Sequence, residues 1–272
     1  MKKCLYFLLP LAVFFYTMST SAYIAEIPCV MYHSVNKNPK NEFSITPALF
    51  EEDMKYLKCH GYQSVTLQEI YDSVYNGGKL PQKPVLITFD DGYRDVLYEA
   101  LPILEKYEYT AVMAVTGASV GKTLSDFPHM NADELKMMDR SRIFELISHS
   151  YDLHKNDERV GASKLENETV GEYRKILTSD LAKSFSQLRS ITGKSSTAFA
   201  YPYGAASDES VKILESAGVK TALLCEEAPE SAADSSIIFI KRLCRNGTHT
   251  VERFFDYFNK VYKQQADTKS LL

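Results

Sequence analysis

Residues Pro84–Tyr93 read PVLITFDDGY, and the reading of this stretch decides the fold. Val85 to Phe89 form a continuous apolar run, the pattern of a strand buried on both faces. Asp90 and Asp91 then stand side by side at its end, before Gly92. Adjacent ionised carboxylates repel, so a positive partner must lie close by or the pair must face water. A divalent cation would answer the repulsion. One aspartate would ligate it, and the other would stay ionised as a proton acceptor. The competing reading is a turn whose aspartates are solvated or cap the following helix.

Working outward, apolar runs alternate with helical patterns. Strands are predicted at Ile27–Tyr32, Tyr62–Val65, Val85–Phe89, Ala111–Thr116, Phe144–Ser148, Ala198–Tyr201, Lys220–Leu224 and Ile237–Ile240. Helices are predicted at Pro47–Cys59, Asp95–Tyr107, Asn131–Met138, Glu168–Ile191, Asp208–Ala217 and Val251–Lys263. The first has proline in its opening turn and stops before Gly61, the expected punctuation at each end. Such alternation predicts a parallel sheet with helices outside it, open or closed into a barrel. Lys155–Thr169 is polar and reads as a surface excursion.

The 272-residue chain opens MKKCLYFLLPLAVFFYTMSTSA. Two lysines, an apolar run and small residues before Ala22 are the layout of a secretory signal peptide over residues 1–22, with an uncleaved anchor as the alternative. Residues 23–272 then form one domain. Removing the leader takes the formal charge from -4 to -6, which argues against a nucleic-acid partner. Cys29, Cys59, Cys225 and Cys244 remain, with no metal-binding or disulfide-framework spacing. Export permits a disulfide, but a core of this size does not need one, so buried free thiols are expected.

In parallel sheets ligands collect beyond the carboxyl ends of the strands. His33 follows the first strand, Asp90 and Asp91 the third, His149 and His154 the fifth, and Pro202-Tyr203-Gly204 the sixth. His60, His129 and His249 fall at helix ends or in loops and suggest nothing similar. His149 and His154 are five apart, about 140° around a helix and on opposite faces of a strand, so only an irregular turn can make them converge. Two imidazoles and one carboxylate would make a three-ligand site with open positions, the pattern of a catalytic metal.

VLITFDDGY, SHSYDLH and FAYPYG, in this order, resemble the successive motifs of the polysaccharide deacetylases with a NodB homology domain, carbohydrate esterase family 4. The resemblance runs from IPCVMYHSV to the last strand. It implies a distorted (β/α) barrel of about seven strands and metal-dependent removal of N-acetyl groups from glycans. Carried over, Asp90 resembles the catalytic base, and Asp91, His149 and His154 the metal ligands. Pro202 and Tyr203 match the motif lining the groove, where the Tyr203 N–H would help hold the oxyanion. Zinc is the expected ion, with cobalt or nickel as alternatives.

Three features depart from the commonest family pattern. The histidine pair has four intervening residues, Ala200 stands where an arginine often opens the proline motif, and no late Leu-x-His supplies an acid. These departures resemble a subgroup acting on poly-β-1,6-N-acetylglucosamine, whose barrel is circularly permuted and whose acid histidine comes from an early MYH segment. Here that makes His33 the candidate acid, against a purely structural role capping the first strand. Arg242, after the last strand, is the candidate replacement for the missing arginine. The chain has 18 tyrosines and no tryptophan, and Tyr93 and Tyr203 are placed near the sugar. The expected partner is an extracellular glycan met by a monomer at or near the membrane or cell wall. The rivals are a peptidoglycan or chitin-oligomer deacetylase, and a carbohydrate-binding protein that kept the fold without turnover.

Overall fold

The computed structural model describes residues 27–124, 127–225 and 228–269. The leader expected over residues 1–22 lies outside the described residues. Eight strands form one parallel sheet: β1 Cys29–Tyr32, β2 Pro84–Phe89, β3 Ala111–Val115, β4 Phe144–Ser148, β5 Ala198–Ala200, β6 Thr221–Leu224, β7 Ile238–Lys241 and β8 Leu243–Cys244. Their spatial order is β7-β6-β5-β4-β3-β2-β1-β8. Gln63–Ser64 adds a short parallel strand beside the start of β2.

The edge strands β7 and β8 are separated in the chain by Arg242 alone. One residue cannot span an open sheet, so the two edges meet and the sheet curls into a nearly closed barrel. The Tyr262 hydroxyl stitches this seam, lying 3.1 Å from the carbonyl oxygens of both Cys29 and Lys241. Arg242 is thereby fixed at the join.

The helices wrap the outside: α1 Pro47–Cys59, α2 Leu67–Tyr75, α3 Leu101–Tyr107, α4 Ala132–Ser141, α5 Val170–Thr192, α6 Asp208–Ser216 and α7 Val251–Lys269. A π-turn at Val96–Ala100 leads into α3. Pleating decides which strand residues face them. Val85, Ile87 and Phe89 belong to the apolar layer that also holds Phe50, Leu104 and Phe258, whereas Leu86 joins Cys29, Val112, Ala114, Ile147 and Ala200 in the other layer, the barrel interior. The same alternation places Thr88 and Asp90 inward with Leu86, and His33 inward with Cys29 and Met31. Behind β1, the Tyr32 hydroxyl and Arg245 both bond buried Asp53 on α1, holding the strand that delivers His33.

All eight expected strands occur, one of them reduced to Gln63–Ser64. Among the described residues, α2, β8, the short parallel pair Ser34–Val35 with Ser44–Ile45, and the short antiparallel pair Thr123–Leu124 with Phe127–Pro128 were not expected. Cys29, Cys59, Cys225 and Cys244 form no disulfide among the described residues; only Cys29 is buried, Cys225 and Cys244 are half-buried, and Cys59 is exposed because it ends α1 on the solvent side. The Lys155–Thr169 segment is no simple surface excursion. Ala162 is fully buried, and Gly161 packs so closely on the Pro202 carbonyl that a Cβ there would sit 2.3 Å from its oxygen. No helix among the described residues is long and apolar enough to cross a membrane.

Candidate active site

Asp90 continues the β2 ladder, its N–H donating to the Tyr32 carbonyl at 3.0 Å. Pleating alone would then send Asp91 to the opposite face. Its φ of 74° breaks the alternation, so both carboxylates reach the same cavity. Ser150 (φ 67°) and Tyr203 (φ 57°) are also left-handed, which makes three of the five such non-glycine residues among those described members of the loops around this cavity. Each costs about 1–2 kcal/mol relative to ordinary backbone, and the fold concentrates that cost here.

The repulsion between the adjacent carboxylates is met in two ways. Asp90 is gripped by Arg242, with Nη1 donating to Oδ1 at 2.6 Å and Nη2 to Oδ2 at 2.8 Å. Burial by itself would raise the Asp90 carboxyl, but the Arg242 guanidinium holds it below the usual carboxylate range. Asp91 is offset instead by imidazoles. Burial again opposes ionisation, and His154 first, then His33, bring it below its ordinary value.

His149 Nδ1 lies 2.8 Å from the Ala200 carbonyl. Donation there leaves the Nε2 lone pair facing the two aspartates, 3.7 Å from Asp90 Oδ2 and 3.7 Å from Asp91 Oδ1. Burial holds this ring neutral, its pKa lowered to about 4. His154 Nε2 lies 3.1 Å from Asp91 Oδ1, with its Nδ1 3.4 Å from the Tyr203 hydroxyl. One donor atom from each of Asp91, His149 and His154 falls within 4.8 Å of the others. Donors around a tetrahedral zinc stand about 3.3 Å apart, so the set fits such an ion. Asp91 Oδ1 is moreover buried and accepts no hydrogen bond among the described residues, as expected of an atom kept for a cation.

The cavity above these groups measures about 490 Å³, and Met31, His33, Tyr93, Phe127 and Tyr203 line it. His33 is half-buried, its ring tilted against Phe43 at 5.3 Å and its Nδ1 buried with no hydrogen-bond partner among the described residues. Asp95 accepts from Ser34 Oγ at 2.5 Å and from Asn36, holding the segment that follows His33. Pro202 is buried in a 3₁₀ turn, and the N–H groups of Gly204 and Ala205 are spent within that turn. Tyr203 stands over His154, ring centroids 4.7 Å apart. Burial, and next the charge of Asp91, push the Tyr93 phenol up, and its ring packs on Phe127 and His129. A smaller cavity of about 280 Å³ at the other end of the barrel, near Thr110, Phe144 and Thr197, gathers no comparable set.

Sequence reasoning passed over Phe43, Phe127 and His129. Phe43 and His129 sit in loops and Phe127 in the two-residue strand Phe127–Pro128, so their approach to the site depends on tertiary pairing, such as the Tyr93–His129 bridge. A buried histidine three residues before α4 carried no periodic signal.

At the carboxyl end of the parallel barrel the structure gathers Asp91, His149 and His154 beside the arginine-held Asp90. The chain belongs to the polysaccharide deacetylase family, whose profile matches residues 77–222. It is 31% identical over 199 residues to the poly-β-1,6-N-acetyl-D-glucosamine N-deacetylase of Staphylococcus aureus, the match taking in 73% of this chain and 66% of that one. The structure of IcaB from Ammonifex degensii superposes with a TM-score of 0.71 at 27% identity, covering 86% of this chain and 94% of that one. A de-N-acetylase from Aggregatibacter actinomycetemcomitans shares the fold, with a TM-score of 0.71 at 23% identity over 85% and 98% of the two chains.

Proposed function

We propose that this chain is a metal-dependent N-deacetylase of an extracellular N-acetylglucosamine polysaccharide, with poly-β-1,6-N-acetylglucosamine the first candidate. The observation that carries the reading is the pairing of Asp90 with Arg242 beside the Asp91–His149–His154 set. A protein that only binds sugar has no use for a buried carboxylate held ionised next to a cation site. When bound, a divalent ion, zinc first, supplies Lewis-acid charge that polarises the acetamide carbonyl and acidifies water.

The chain's own residues do the rest. Asp91, His149 and His154 hold the ion, the Ala200 carbonyl fixing the tautomer of His149. Asp90, kept ionised by Arg242, accepts a proton from the water that attacks the acetamide carbon. The Tyr203 N–H is directed at the oxyanion that forms. His33, whose ring faces the same cavity, protonates the departing amine, so that acetate and a free glucosamine amine leave. Residues 23–272 form the catalytic domain, a monomer working outside the cell after residues 1–22 direct export.

Similarity to the staphylococcal N-deacetylase supports the choice of glycan. Peptidoglycan and chitin oligomers would be hydrolysed by the same residues, so the substrate is settled by measurement. Acetate release should be followed with zinc-loaded protein over poly-β-1,6-N-acetylglucosamine, chitin oligomers and peptidoglycan. Release from the first well above the others is expected, and release confined to either of the others would reassign the substrate.

A further inference from the structure

His149 and His154 cannot share a face of any regular element, so their convergence rests on the turn between them. That turn bends sharply at Ser150, whose backbone is left-handed. Its N–H groups point away from the sheet ladder and need acceptors, because a buried unpaired N–H costs about 1–3 kcal/mol. Asp180, on α5 and 7% exposed, supplies both. Its Oδ1 accepts from the Tyr151 N–H at 2.7 Å and its Oδ2 from the Asp152 N–H at 2.8 Å. One helical turn further on, Ser184 Oγ meets Ser148 Oγ at 2.7 Å and ties the same helix to the end of β4.

The turn is braced from its other side as well. Gly117 N–H donates to the Ser150 carbonyl at 3.0 Å and Ala118 N–H to the Tyr151 carbonyl at 2.7 Å. Gln187, also on α5, donates to the Gly117 carbonyl at 3.1 Å. The peptide groups of the turn are thus held through both their carbonyls and their N–H groups. On the N–H side, Asp180 is the acceptor for both Tyr151 and Asp152, while the Leu153 N–H donates to Ser150 Oγ at 3.2 Å.

We propose that Asp180 is a positioning residue of the metal site: by holding the Tyr151 and Asp152 N–H groups, it sets the distance between His149 and His154. It touches neither imidazole and takes no part in proton transfer. The inference rests on the metal reading proposed above. Asn at this position matches aspartate in size but sets an NH₂ against one of the two N–H donors, so one hydrogen bond is lost and a donor faces a donor.

The test compares the unsubstituted protein, Asp180→Asn and Asp180→Glu after removal of metal. Zinc affinity is read by competition with a chromogenic chelator, the ligand field from the visible bands of the cobalt form, and folding from the melting curve of the metal-free chains. Asp180→Asn is expected to weaken zinc binding about 10–100-fold and to alter the cobalt bands. Asp180→Glu, which keeps the charge but moves it by one methylene, should do the same and decides the matter if the Asn variant does not fold. Zinc affinity within about threefold of the unsubstituted protein, with unchanged cobalt bands, would reduce Asp180 to a structural residue whatever the melting curve does. An unsubstituted protein that takes up no zinc would overturn the metal reading itself, a result separate from any difference among the variants.

Discussion

Arg242 and Asp90 face each other across the barrel seam with two parallel hydrogen bonds, and the arginine side chain is wholly buried. Both charges depend on the pairing. Arg242→Met should leave an uncompensated carboxylate in the interior and destabilise the metal-free protein by about 3–5 kcal/mol. Adding Asp90→Asn should recover much of that loss, because a neutral amide does not need the guanidinium. Urea unfolding of the unsubstituted protein, Arg242→Met and the double variant checks both statements. A loss under about 1 kcal/mol, or no recovery in the double variant, would mean the pair is not coupled as its geometry indicates.

The two aspartates should separate cleanly. Asp90→Asn is expected to retain zinc and lose turnover on the order of 10²-fold or more. Asp91→Asn should weaken zinc binding itself, since it removes a donor that both imidazoles face. Metal analysis of the two purified variants beside their acetate-release rates makes the comparison. Equal metal loss in both would contradict the division of roles.

His33→Ala should distinguish substrates by leaving group. An amine departs poorly without a proton, whereas the phenol of an activated aryl acetate departs without help. Amide hydrolysis should therefore collapse while ester hydrolysis falls far less, with zinc content unchanged. Equal losses on the two substrates would indicate that His33 positions the substrate rather than protonating it.

Gly161→Ala tests the contact between the polar loop and the proline motif. Gly161 has a φ of +55°, and an added Cβ would lie 2.3 Å from the Pro202 oxygen. The turn carrying Tyr203 must then shift. A displacement on the order of 1 Å can cost up to about 10²-fold in rate. Glycan turnover should fall with zinc still bound, and unchanged turnover would show that this contact does not set the position of Tyr203.

Much of the barrel was legible because its strands are short continuous apolar runs, and such runs carry their own signal. The helix α2 was missed because nothing was assigned between the predicted strands Tyr62–Val65 and Val85–Phe89, although Thr66 and Glu69 form a capping box that marks a helix start. Asp90, Asp91, His149 and His154 stood out as polar residues beyond strand ends, and the structure brings all four to one cavity. Arg242 could be named only as a replacement for the absent arginine; its reach to Asp90 depends on barrel closure, which no local pattern encodes. Asp180 was overlooked as an ordinary helix carboxylate. Its signal was register, since it lies on the buried stripe of Leu177, Leu181, Ser184 and Leu188, where a charge needs a partner.

The most direct test of the proposed activity is a zinc titration of the metal-stripped protein, with acetate release from poly-β-1,6-N-acetylglucosamine as the readout. Activity is expected to be absent before addition, to rise to a plateau at one zinc per chain, and to stay lower on the order of 10²-fold or more in Asp90→Asn at the same zinc content. Full release from the stripped protein, or none from a folded chain carrying one zinc on any of the three glycans, would contradict it.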